Sequence, residues 1–134
     1  MYNNRNIPEN IKNIILEVLP IDKTEAVYIY GSYGTERFST SSDIDIAWYS
    51  KENISIMQRS KYQMELRKQL GIEVDLKVVK DDYSVKMEYE ILKGDCIYFT
   101  EYFREYFYEF QLYNKDMIDI IKRCYEHKSI YPQF

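Results

Sequence analysis

Cysteine is scarce in this chain. Cys96 and Cys124 are the whole supply, widely separated and without a CxxC spacing, so a disulfide framework is not indicated and two idle thiols in a reducing cytoplasm are expected. Long apolar runs are missing as well: no stretch approaches the ~20 apolar residues that span a bilayer. The first thirteen residues, MYNNRNIPENIKN, are polar and lack the apolar centre of a secretion signal. A cytoplasmic protein with no membrane partner is expected. A basic excess is missing too, since the formal net charge is −4 and the pI about 5.1. A general nucleic-acid binder would carry a cationic face to displace counterions from phosphates, so direct nucleic-acid binding is not expected. Glycine is sparse, with 4 residues, and no repeat, low-complexity tract or linker interrupts the chain.

What is abundant is aromatic surface, with 15 tyrosines and 6 phenylalanines. Hydrophobic residues make up 46% and charged residues 30%, the balance of a folded globular protein. A length of 134 residues predicts one domain over 1–134.

Hydrophobic spacing then divides the chain. Pro8 suits a first helical turn, Ile11, Ile14, Ile15 and Leu19 recur at helical intervals, and Pro20 ends the run. Ala26 to Tyr30 reads as a strand, and Asp43 to Tyr49 as a second. Between them, Gly31 to Ser42 shows no hydrophobic period. Residues 53–70 predict a helix closed by Gly71, and Ile72 to Val79 alternates as a third strand. Asp81 and Asp82 suit the cap of a helix reaching Lys93, with Gly94 after it. Cys96 to Phe99 is a short extended piece, and 101–127 predicts one long helix. This order implies an α/β (α+β) fold, a small mixed sheet with helices packed on one face.

Chemistry concentrates on three carboxylates. Asp43 and Asp45 are two apart in a strand, so both side chains leave the face opposite Ile44 and Ile46. Paired carboxylates repel unless a cation lies between them, and Mg²⁺ is the usual cation where phosphates complete the shell. Asp75, between Val74 and Leu76 in the third strand, converges with them if the two strands are neighbours. Such a set suits two-metal phosphoryl transfer, in which one carboxylate, here Asp75, also helps deprotonate the nucleophile. Gly31-Ser32 directly follows the first strand, where a glycine lets the backbone approach a phosphate.

The spacing Gly31-Ser32, ten residues, Asp43-Ile44-Asp45, then Asp75 about thirty residues on resembles the nucleotidyltransferase pattern of the DNA polymerase β superfamily. Within it, the short length and the stretch Glu88 to Phe99 are similar to the minimal nucleotidyltransferase (MNT) antitoxins that pair with HEPN toxins. The resemblance implies a nucleotidyltransferase fold, ATP as substrate, two Mg²⁺ ions, and transfer of AMP to a tyrosine of a cognate HEPN RNase toxin, with which the chain would form a hetero-oligomer. It implies metal binding by Asp43, Asp45 and Asp75, triphosphate contact by Gly31 and Ser32, and loop orientation by Ser42. The chain departs from the pattern at Thr35 and Glu36, where relatives carry a basic residue and a glycine, and Arg37 is a candidate replacement charge. Two alternatives stand beside the enzyme: an inactive antitoxin that works by covering the toxin, and a small-molecule nucleotidyltransferase, for whose usual extra helical domain there is no room.

Other residues attract plainer readings. Glu73 and Lys77 share the face of Asp75 by strand parity, and a salt bridge is the expected use of Lys77. Trp48 reads as core, and His127 as a cation near the end of the last helix. The aromatic cluster Tyr102 to Tyr113 divides between internal packing and a partner surface.

Overall fold

The computed structural model describes residues 6–36, 38, 39, 42–81 and 83–126. Helix α1 (Glu9–Val18) begins behind Pro8, whose carbonyl accepts the N–H groups of Ile11 and Lys12, and ends where Leu19 turns extended ahead of Pro20. A single 3-10 turn (Ile21–Lys23) leads into β1 (Thr24–Tyr30). Strand β2 (Ile44–Ser50) follows the long polar loop, and helix α2 (Ile56–Leu70) carries the chain over to β3 (Val74–Val78). Ser55 and Gln58 close a reciprocal capping box at the start of α2, and Gly71 at φ 69° ends it. Helix α3 (Val85–Leu92), strand β4 (Asp95–Phe99) and helices α4 (Glu101–Tyr113) and α5 (Lys115–Glu126) complete the order.

Two helical expectations change. The cap of α3 is Ser84, whose hydroxyl accepts from Met87 N–H at 3.1 Å, and not Asp81; Asp82 lies outside the described residues. The long helix expected over 101–127 is two helices. At Asn114 φ is −110°, outside the helical range, and its side-chain amide donates back to the Phe110 carbonyl at 2.9 Å.

The strands form one sheet in the order β3-β2-β1-β4. β1 is antiparallel to β2 and β4, whereas β2 and β3 are parallel, joined by α2. Helices cover both faces of this sheet, which corrects the expectation of one. Val27, Ile29, Ile44, Ile46, Trp48, Val74 and Leu76 pack with Ile15, Leu19 and Leu66 of the α1–α2 layer. Ala26, Tyr28, Tyr30 and Ala47 pack on the other side with Ile91, Phe103, Phe107, Phe110 and Ile118 of α3, α4 and α5. The cause is the central strand. β1 is apolar at both parities from Ala26 to Tyr30, so each of its faces must be withdrawn from water.

Trp48 is core, fully buried, with its indole N–H on the Thr24 hydroxyl at 2.9 Å. The α4 aromatics divide by face: Phe103, Phe107 and Phe110 are buried, which bears out internal packing for them, while Tyr102 is 70% and Tyr113 89% exposed. His127 lies outside the described residues.

Candidate active site

Register decides what meets. Asp45 of β2 stands opposite Asp75 of parallel β3, and opposite Tyr30 at the end of antiparallel β1. Residues aligned across neighbouring strands point to the same face, so Tyr30, Asp45 and Asp75 form a row across three strands. Their partners in parity, Ile44, Ile46, Val74 and Leu76, are buried on the opposite face, so rotating either strand to separate the acids would expose core. Asp43 stands immediately ahead of β2 and is exposed. Among the described residues no group of three His, Cys, Asp or Glu side chains is close enough to hold a metal ion. The register sets Asp45 beside Asp75, and Asp43 stands one residue ahead of the strand that carries Asp45.

The pair is held by two different devices. Gly31 turns at φ 72° directly after β1, and a Cβ built there would collide with Oδ2 of Asp45. The glycine thus lets the Asp45 carboxylate lie against the backbone of the turn. Asp75 accepts an ion-paired hydrogen bond from Lys77 Nζ at 2.6 Å, the salt bridge expected from the sequence. Burial works to lower the Lys77 pKa, but its hydrogen bond to Asp75 and the charges of Tyr30 and Asp75 outweigh that and raise it. The same ammonium stands 6.0 Å from the Tyr30 ring centroid. Among the described residues the buried Tyr30 hydroxyl finds no hydrogen-bond partner of ordinary geometry. Burial pushes its pKa up to about 12, with Lys77 pulling it back and the Asp45 and Asp75 carboxylates adding to the rise.

The loop after Gly31 is stabilised internally. The Ser32 carbonyl accepts both the N–H and the hydroxyl of Thr35, at 3.0 and 2.5 Å. Thr35, at the position where a basic residue was expected, is therefore a turn-forming side chain here. Glu36 is exposed, and Arg37 lies outside the described residues. Ser42 is tied to Ser39, accepting from its N–H at 3.3 Å with the two hydroxyls 3.1 Å apart, which braces the turn directly before Asp43. Glu73 does not join the acidic row; it precedes β3 and pairs with Arg67 of α2 at 2.7 Å.

Three side chains at this end of the sheet escape a reading of the sequence. Tyr30 is the last residue of a strand, and its place beside Asp45 depends on register, which no spacing within β1 reveals. Arg59 and Gln63 of α2 cover the outer edge of β3: Gln63 Oε1 accepts Leu76 N–H at 2.9 Å, and Arg59 donates to the Leu76 carbonyl at 3.2 Å. Both groups of an edge residue are thereby satisfied and closed to another strand. Helical periodicity places Arg59 and Gln63 on one face, four apart, but nothing in it names that partner.

The fit to a divalent cation is consequently partial. Two oxygen-bearing side chains lie side by side on a rigid sheet, as hard cations require, while Lys77 supplies the positive charge that Asp75 uses in this structure.

A four-stranded mixed sheet whose parallel pair carries two aligned carboxylates, next to a glycine turn, defines a nucleotidyltransferase fold. The chain belongs to the polymerase β nucleotidyltransferase family, whose family model, "Polymerase beta, Nucleotidyltransferase", matches residues 9–102. Among solved structures, the chain is similar to a chain of the toxin–antitoxin pair MntA–HepT, with TM-score 0.61 and 21% identity over 92% of this chain and 95% of that one. It is similar to a chain of the tri-AMPylated HEPN toxin in complex with MNT antitoxin from Shewanella oneidensis, with TM-score 0.58 and 22% identity over 85% and 98%. It is similar also to a chain of a toxin–antitoxin structure with AMP-PNP, with TM-score 0.61 and 22% identity over 92% and 95%. No curated protein matches the chain. Among the described residues no helix is long and apolar enough to cross a membrane.

Proposed function

We infer that this chain is an antitoxin-type protein adenylyltransferase, which moves AMP from ATP to a tyrosine of a cognate HEPN toxin and so silences it. The observation that carries the reading is the alignment of Asp45 with Asp75 beside Gly31. Membership of a nucleotidyltransferase family supports the transfer chemistry. Likeness in fold to chains from complexes with a tri-AMPylated HEPN toxin and with AMP-PNP supports the acceptor and the donor.

In this reading Asp43, Asp45 and Asp75 would hold two Mg²⁺ ions, which when bound would neutralise charge on the triphosphate and on the leaving pyrophosphate. Gly31 and Ser32 receive the phosphates through the backbone N–H groups of the turn, and Ser42 fixes the approach to Asp43. The acceptor's phenolic oxygen attacks the α-phosphorus, the bond to the bridging oxygen breaks, and pyrophosphate leaves with that electron pair. Asp75 takes the phenolic proton. A nucleotide ester on a toxin tyrosine adds negative charge and bulk, which opposes RNA binding.

The ion pair of Lys77 with Asp75 favours a second reading, an antitoxin with a silent site that acts by covering the toxin. One experiment separates them. The protein is incubated with labelled ATP, Mg²⁺ and a cognate HEPN toxin, alongside an Asp43→Ala/Asp45→Ala double variant whose circular dichroism matches the wild type. Label on the toxin with wild type alone is expected. Label transfer that persists in the double variant overturns the site, and absence of label with wild type, combined with RNase inhibition without ATP, establishes the silent antitoxin.

A further inference from the structure

We propose that the cleft along the outer edge of β3 is an acceptor-side subsite for a nucleoside 5′-phosphate, which retains a toxin already carrying one AMP. The proposal rests on the transferase reading above and deepens it. The cleft measures about 350 Å³ and is lined by Ser55, Arg59, Asp75, Lys77, Lys80 and Tyr83, among others. That volume lies at the small end of ligand pockets and suits one mononucleotide.

Its charge is opposite to that of the molecule. Three cations, Arg59, Lys77 and Lys80, face one carboxylate, Asp75, in a chain of net charge −4. The guanidinium of Arg59 donates to Gln63 Oε1, to the Leu76 carbonyl and to Ser60 Oγ, at 3.1, 3.2 and 3.4 Å. All three acceptors are neutral, so these bonds orient the group without cancelling its charge. Lys80 is exposed just beyond β3. The N-terminal end of the fifteen-residue helix α2 opens on the same cleft through Ser55 and Ile56 and adds potential of the same sign. Tyr83 gives the wall an aromatic ring on which a base can stack.

Position assigns the cleft to the acceptor and not to the donor triphosphate. The phosphate turn at Gly31 ends β1, and the sheet order places β2 with Asp45 between β1 and β3. At about 4.8 Å per strand, the turn and the β3 edge are roughly 10 Å apart. An anion held at Arg59 and Lys80 therefore lies across Asp75 from the triphosphate, on the side from which a nucleophile would enter.

The test reads binding rather than transfer. Equilibrium dialysis of the intact protein with AMP and with adenosine, without divalent metal or NTP, is expected to show AMP bound at least about tenfold more tightly than adenosine. Lys80→Glu and Arg59→Gln should each weaken AMP by about tenfold, roughly one charged contact. Asp45→Asn should leave AMP binding intact, and saturating AMP-PNP with Mg²⁺ should not displace it. Arg59 also seals the β3 edge, so exposed Lys80 is the deciding position. Equal binding of adenosine and AMP, indifference to Lys80→Glu, or displacement of AMP by AMP-PNP each overturns the subsite. Wild type that holds AMP in this way but passes no label to the toxin would defeat the transferase reading and with it the acceptor role, leaving only a nucleoside-phosphate site.

Discussion

Gly31 is the residue on which the geometry of the carboxylate pair turns. Its φ of 72° lies in the left-handed region, and the space where a Cβ would go is filled by Oδ2 of Asp45. Gly31→Ala therefore carries two separate costs. The backbone strain is worth about 1–2 kcal/mol, to be seen as a lower urea midpoint with unchanged slope. The collision falls on the tip of a short side chain, which can swing away, so the fold survives while Asp45 leaves its place beside the turn. Label transfer should drop by about a hundredfold or more, as misplacement near 1 Å commonly does. An Ala variant with normal transfer would show that Asp45 has no need of this position. At this scale the sequence was informative where chemistry repeats at fixed spacing: Gly31, Asp45 and Asp75 were legible, and strand parity placed Lys77 beside Asp75. Tyr30 was not legible, because a residue's neighbours across a sheet depend on pairing that the strand itself does not encode. Asp43 precedes the strand and is not bound by its alternation, so strand parity alone does not fix where its carboxylate points.

Among the elements, α2 does more than cross from β2 to β3. Its start is fixed by the Ser55–Gln58 capping box and its body closes the sheet edge through Arg59 and Gln63. Ser55→Ala removes one of the two reciprocal bonds and should cost about 1 kcal/mol in chemical denaturation. Gln63→Leu is the more telling change. It leaves the Leu76 N–H without a partner, at about 1–2 kcal/mol, and uncovers a strand edge. Sedimentation velocity should then show concentration-dependent self-association that wild type lacks; a strictly monomeric Gln63→Leu of unchanged stability would mean that the edge needs no cover. The strands and α1 to α3 were readable because each has an unambiguous hydrophobic period or a stop residue. The break between α4 and α5 was hidden, since Asn114 is only a weak interruption and the hydrophobic spacing runs on past it. Helices on both faces were likewise missed, although the apolar run of β1 carried the signal: a strand buried at five successive positions, Ala26 to Tyr30, has no face left there for water.

At the scale of the molecule, the abundance of tyrosine gives the fold a characteristic weakness. Tyr28 and Tyr49 lie between the sheet and α4, where Tyr49 packs edge-on against Phe103 at 4.6 Å and donates to the buried Glu88 at 2.9 Å. Burial, then the nearby Cys96 for Tyr28 and Glu88 for Tyr49, holds both phenols well above their ordinary value of 10.0. Burial likewise pushes the neighbouring Cys96 thiol up to about 11. In each case the folded state keeps a proton that the unfolded chain has released. The stabilisation is therefore complete below the unfolded values and declines as pH rises above them. Each such phenol removes about 1.4 kcal/mol per pH unit. One unit above 10, the two tyrosines together remove about 3 kcal/mol from a domain stability on the order of 5–15 kcal/mol. Alkaline unfolding should accordingly be cooperative, with loss of helical circular dichroism coinciding with a late step of tyrosinate absorbance. Tyr28→Phe should make the fall of stability with pH shallower. If every tyrosine ionised in one step at its ordinary value while the helical signal persisted, the layer beneath α4 would have to be open to water, and the two-faced burial of the sheet with it.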